Sequence, residues 1–156
     1  MTIWKELYDI FDKERSRWQQ SSANKQAIAF ELKANLGFLA DALSSGLSQN
    51  AIANGLEYSV FEAKLKEGTA LTGLNRRKVT QQFIGEFTGF ATYIGKENDY
   101  LVENAYSRIK SLKKLVAAQP DKNHNLRIKF LFNFLVFLVA HLEERPLSRT
   151  SARKSI

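Results

Sequence analysis

Between residues 24 and 49 the apolar side chains Ile28, Leu32, Leu36, Leu39, Leu43 and Leu47 advance by four, four, three, four and four positions. That step keeps them on one face of an α-helix and predicts a core-facing helix. Gly37 and Gly46 interrupt its propensity and mark either a close helix approach or a weak last turn. Upstream, Ile3, Leu7, Ile10, Phe11 and Trp18 repeat the spacing, while Glu6, Lys13, Glu14 and Arg17 fill the other side. This is an amphipathic helix with Thr2 as its N-cap. Ser21-Ser22 leaves three arrangements open: the end of that helix, a cap for the next, or absorption into one long bent helix.

Ile52, Leu56, Val60, Phe61 and Leu65 predict a helix over residues 50–67 with Gly68 as its C-cap, although Gly55 weakens its middle. Residues 68–75, GTALTGLN, read as a loop within one domain, with Asn75 capping the helix that follows. That helix carries Val79, Phe83, Phe87, Phe90 and Ile94 and ends at Gly95. Asn98 or Asp99 opens another, with Leu101, Ala105, Ile109, Leu112 and either Leu115 or Val116, and Pro120 stops it. After the polar turn PDKNHN, a last helix runs from about Asn125 to Glu144, followed by Pro146 and LSRTSARKSI.

The last helix holds KFLFNFLVFLVAHL, the most apolar stretch of the chain. Crossing a bilayer takes about 20 apolar residues. This run has 13 before Glu143, with Asn133 and His141 among them. Asn133, Phe137, His141 and Glu144 share one thin stripe and every other direction is apolar, the pattern of a helix packed by neighbours on most sides. The expected fold is therefore all-α, an antiparallel helical bundle of five or six helices with this central apolar C-terminal helix. Residues 1–145 make a single domain and residues 146–156 a flexible basic tail. Any apolar side left uncovered would be shared with a second copy or another protein, which makes Phe130, Phe134 and Phe137 a candidate interaction face.

Composition agrees with this architecture. The 156 residues suffice for one domain with a substantial core, and only two prolines and eight glycines leave little turn material for a many-stranded sheet. The absence of cysteine removes disulfides and thiolate metal sites. Together with an N-terminal stretch that lacks an apolar signal core, it points to a cytoplasmic chain.

The formal charge of +7 is uneven. Residues 1–78 carry 11 Lys and Arg against 9 Asp and Glu, and residues 79–156 carry 12 against 7. Arg76, Arg77 and Lys78 form one cluster; Arg108, Lys110, Lys113, Lys114, Lys122, Arg127 and Lys129 form another that meets only Asp121. Arg145, Arg149, Arg153 and Lys154 make a third group. Of these, Arg76, Arg77, Lys78, Arg108, Lys110, Lys113, Lys114, Arg127 and Lys129 are candidate phosphate contacts for salt-sensitive, nonspecific nucleic-acid binding. Solubility, or a helix C-terminus attracting the cations near residue 114, explains the same charges without a ligand.

Catalytic chemistry has little to stand on. His124 and His141 are the two histidines, neither in a metal-binding spacing. His141 and Glu144 form an H-x-x-E pair able to act as an oriented base, but a helix end explains it as well. Gly89 to Glu97 fails as a phosphate loop, because five residues separate its glycines and Glu97 follows Lys96 where a hydroxyl is needed. No catalytic, cofactor or metal set is expected. The sequence favours a non-enzymatic helical interaction module, with self-association as one form of it. Nonspecific nucleic-acid binding is the alternative, and peripheral membrane association through helix 126–142 the weaker one; integral insertion is not expected.

Overall fold

The computed structural model describes residues 3–21 and 26–147. Among them are α1 (Ile3–Gln20), α2 (Ala27–Ser45), α3 (Gln49–Gly55), α4 (Ser59–Glu67), α5 (Gln81–Ile84), a 3-10 helix (Thr88–Tyr93), α6 (Asn98–Ala118) and α7 (Asn125–Leu142). The protein is all-α, its helices packed together as a bundle. Thr2, Ser22, Asn24 and residues 148–156 lie outside the described residues.

Helix α7 forms the centre, with α1, α2 and α6 packed against it. Lys33 of α2 meets Glu143 just past α7, while Gln49 reaches the turn before α7, so α2 and α7 run antiparallel. Arg108 lies over Phe134 and Asn98 meets His141, so α6 is antiparallel to α7 as well. Tyr8 bonds Ser44 and Arg15 bonds Asp41, setting α1 antiparallel to α2. Every residue from Leu131 to Leu142 is buried. The fourth side of α7 is covered by the segment around α5 and the 3-10 helix: Phe90 stacks on Phe137 at 4.5 Å, Phe83 meets it edge-on, and Tyr93 meets Phe134.

Two helices expected from the spacing are broken, which raises the helix count. The first break falls at Gly55, where an added Cβ would lie 2.1 Å from the Phe38 ring. Phe38 crosses the backbone there, and the chain leaves α3 through an extended Leu56. Helix α4 then starts without a local side-chain cap. Its amides are met from α2 instead: Val60 N and Phe61 N donate to the Glu31 carboxylate at 2.9 and 3.2 Å. One turn along α2, Asn35 exchanges two hydrogen bonds with the Glu57 backbone. Tyr106 of α6 donates its hydroxyl to the same Glu31 at 2.7 Å, and Phe61 stacks on the Tyr106 ring. Burial first, and then the bond to Glu31, pushes the Tyr106 hydroxyl well above its ordinary pKa.

The second break lies between Val79 and Ile94. Val79, Phe83, Phe87 and Phe90 are buried, but on an irregular segment and not on one helix, and Ile94 is exposed. Val79 pairs with the 95–96 backbone, α5 lasts four residues under a Thr80 cap, and Gly85 turns with φ 52° and ψ −120°, a combination glycine accepts and other residues resist. Asn75 does not cap a helix; its side chain accepts from Arg77 N and from Asn98. In α2, Ile28, Leu32, Leu36 and Leu39 are fully buried as the spacing predicts, whereas Leu47 is exposed because the helix ends at Ser45. Leu147, assigned to the tail from sequence, is 2% exposed and donates its N–H to Phe83 O, so the packed chain extends past residue 145.

Replacing Glu31 with Ala leaves two α4 amides and the Tyr106 hydroxyl without their acceptor. A loss of about 3 kcal/mol is expected, read as a lower urea midpoint. Asp41→Ala, which removes an exposed partner of Arg15, should cost less than about 1 kcal/mol.

Candidate functional site

The segment that covers the fourth side of α7 reaches only its C-terminal half. Phe137 and His141 lie under Phe83, Phe90 and Tyr93. On the preceding two turns of the same helix, Leu126 and Phe130 are 64% and 52% exposed. These two residues are four apart and share one face. Beside them a groove of about 270 Å³ runs between α6 and α7, floored by Leu112, Leu115, Phe130 and Leu131, with Arg108, Arg127 and two serines at its walls. Asn133, one turn beyond Phe130, is 7% exposed, and its Oδ1 has no hydrogen-bond partner among the described residues.

Of the candidate interaction face, only Phe130 reaches the surface. Phe134 and Phe137 are buried: Phe134 beneath Arg108 and Tyr93, Phe137 beneath the 83–93 segment. The spacing of the three phenylalanines placed them on one face but could not reveal that a separate segment covers part of it.

The nine candidate phosphate contacts divide in the same way. Lys113 donates to the Ala53 and Leu56 carbonyls at 2.5 and 2.8 Å, holding the C-terminal end of α3. Lys110 pairs with Glu62 and lies over the Tyr58 and Phe61 rings. Arg77 pairs with Glu144 at 3.3 Å. Arg108 donates to Asn104 and to the Tyr93 hydroxyl, which leaves other guanidinium donors toward the groove. Arg76, Lys78, Lys114, Arg127 and Lys129 are exposed, and among the described residues none has a carboxylate partner; Lys129 lies over the Trp4 ring. The cations form no single stripe: Arg77 and Lys78 line a different cavity from Arg108 and Arg127.

Each histidine is held by a hydrogen bond to a neighbouring segment. His124 is buried, its Nε2 against Gln119 O, while Gln49 closes the surrounding turn through Pro120, Lys122 and the His124 amide. His141 is buried with Nδ1 2.6 Å from Asn98 Oδ1. Asn98 sends both bonds of its amide nitrogen to Asn75, which fixes its oxygen as the acceptor and His141 Nδ1 as the donor. A backbone hydrogen bond with Lys78, the Phe83 ring and the nearby charges of Arg77 and Glu144 surround the imidazole, which also lines a cavity of about 270 Å³ with them. Burial is the main reason that its pKa falls below 6.5. Glu144 turns toward Arg77 and not toward the ring, and sits at φ 58° as the left-handed residue that ends α7. No group of three or more metal-binding side chains occurs among the described residues.

Two consequences can be measured. Lys113→Met should lower stability by about 2 kcal/mol by freeing two carbonyls, whereas Lys114→Met should change it by less than about 0.5 kcal/mol; urea unfolding separates them. Because folding lowers the His141 pKa, its contribution is complete above pH 6.5 and is lost as pH falls below that value. In His141→Gln the slope of stability against pH immediately below about 6.5 should therefore flatten, by up to about 1.4 kcal/mol per pH unit.

No family model, curated protein or solved structure matches this chain.

Proposed function

We propose that the protein is a non-enzymatic interaction module that docks another protein on the uncovered half of α7 and the adjoining α6–α7 groove. The observation that carries this reading is the pair Leu126 and Phe130. Both are large apolar side chains on the central helix, left exposed beside an apolar-floored groove while the rest of that face is covered. Clustered apolar exposure of this kind marks interaction sites more often than scattered single residues do.

Nucleic-acid binding is supported less well, because Arg77, Lys110 and Lys113 are held by internal partners and the free cations do not share one surface. Membrane association rests on α7, whose length and composition suffice for a span. Of that 18-residue window 72% lies buried inside the protein, and the exposed large apolar residues, Leu126 and Phe130, fall on its first turns.

The test offers the purified chain a displayed peptide library, labelled RNA and anionic lipid vesicles, with Phe130→Asp alongside. Phe130 is exposed, so its replacement should leave the unfolding free energy, read from urea titration, within about 0.5 kcal/mol. Peptides enriched on the wild type and lost on Phe130→Asp are the expected outcome. RNA or vesicle binding that survives Phe130→Asp, without any peptide enrichment, would overturn the reading.

A further inference from the structure

We infer that the occupant of this face is an amphipathic helix from a different protein, carrying carboxylates on either side of its apolar stripe. The inference rests on the docking reading above and deepens it by naming the partner's chemistry.

The shape of the site selects a helix. An added strand needs a sheet edge to pair with, and the described residues contain no strand, only the isolated Lys78–Glu97 bridge. A polyproline segment needs a groove lined by several aromatics, and this one has Phe130 alone. Helix α7, presenting Leu126 and Phe130 one turn apart, and α6, presenting Leu112 and Leu115 to the groove, offer instead a seam in which a third helix can set apolar residues at the same spacing.

The charge selects acids. Arg108 and Arg127 stand at the groove and Lys129 on the turn beside Phe130, and among the described residues no carboxylate pairs with any of the three. A partner that covered the apolar floor with neutral or basic flanks would strip water from these cations and give nothing in return. Carboxylates at the flanks would accept from the exposed Arg127 guanidinium and Lys129 ammonium, and from the donors that Arg108 does not send to Asn104 and Tyr93.

The same charges argue against a second copy. A two-fold interface buries the same patch of both copies, so dimerisation around Phe130 would gather two sets of Arg108, Arg127 and Lys129 at a seam whose groove lining holds no carboxylate. Like charges facing one another at an interface are unfavourable.

The experiment is a selection of helix-forming peptides from a random display library on the full-length chain, followed by anisotropy titration of the enriched sequences at low and high salt. The expected result is enrichment of apolar residues at four-residue spacing flanked by Glu and Asp. Their affinity should fall as salt rises and weaken at least about tenfold in the double variant Arg127→Glu, Lys129→Glu. Both positions are exposed, so loss of fold does not obscure the result, and peptides with Lys in place of the acidic flanks should bind the double variant better than the wild type. Enriched peptides without acidic flanks, still lost on Phe130→Asp, would overturn this inference and leave the docking reading standing. A dimer seen by light scattering and dissolved by Phe130→Asp would do the same, with a second copy as the occupant. No enrichment over bait-free selection, from a chain that remains monomeric, would overturn both.

Discussion

A helix that is apolar in nearly every direction must be covered in every direction, and the rest of this bundle is arranged around that demand of α7. Helices α1, α2 and α6 take three sides, and the irregular 79–96 segment takes the fourth. The cover over that fourth side is a short α-helix, a 3-10 turn and three aromatic rings. It ends at Tyr93 and Phe134, and on the two turns of α7 before that point Leu126 and Phe130 stay exposed beside the α6–α7 groove. The exposed pair Leu126 and Phe130 is therefore the remainder of a packing problem solved over half its length.

Polar groups in the interior serve the segments that are not helical. Glu31 and Asn35 hold the break between α3 and α4, Lys113 holds the carbonyls that end α3, and Gln49 holds the turn before α7. Asn98 and Asn75 hold the start of α6 against His141. In each case a side chain from a regular helix supplies the partners that an irregular backbone lacks, which is the condition for burying such backbone at all. The cost is that these helices carry polar and charged residues on faces turned inward. Lys33 and Glu143 extend the pattern as an ion pair buried between α2 and the end of α7, with side chains 5% and 4% exposed.

That arrangement explains what the sequence could and could not disclose. Long helices with an uninterrupted apolar step, α2 and α6 above all, are legible, and so is the central place of α7, because their pattern is set by the core they face. The stripe from Val79 to Ile94 has a helical step yet no helix; its residues are buried from a looped path, and Gly85 and Gly89 inside the stripe are the signal that favours the loop. Gly55 carried the corresponding signal at the other break, but the ring that requires it, Phe38, lies far away in sequence. Nothing local to Glu31 or Asn35 shows that backbone amides from beyond α3 will come to meet them. For the same reason Lys113 and Lys114 look alike in the sequence, although one is a structural donor and the other an exposed charge.

The candidate site was legible in its parts and not in its extent. An apolar surplus on the last helix and an excess of cations between residues 108 and 129 are both visible in the chain, but as separate features with separate explanations. Folding sorts them. Phe134 and Phe137 pass into the core, Lys110 and Lys113 turn to partners inside the bundle, and Phe130, Arg108 and Arg127 come together along one groove. Arg127, without an internal carboxylate partner, and Phe130, left half exposed by internal packing, have the same physical origin: each lies where the bundle does not supply a full complement. When both lie on one surface, the complement they lack is a single one, apolar in the middle and acidic at the edges.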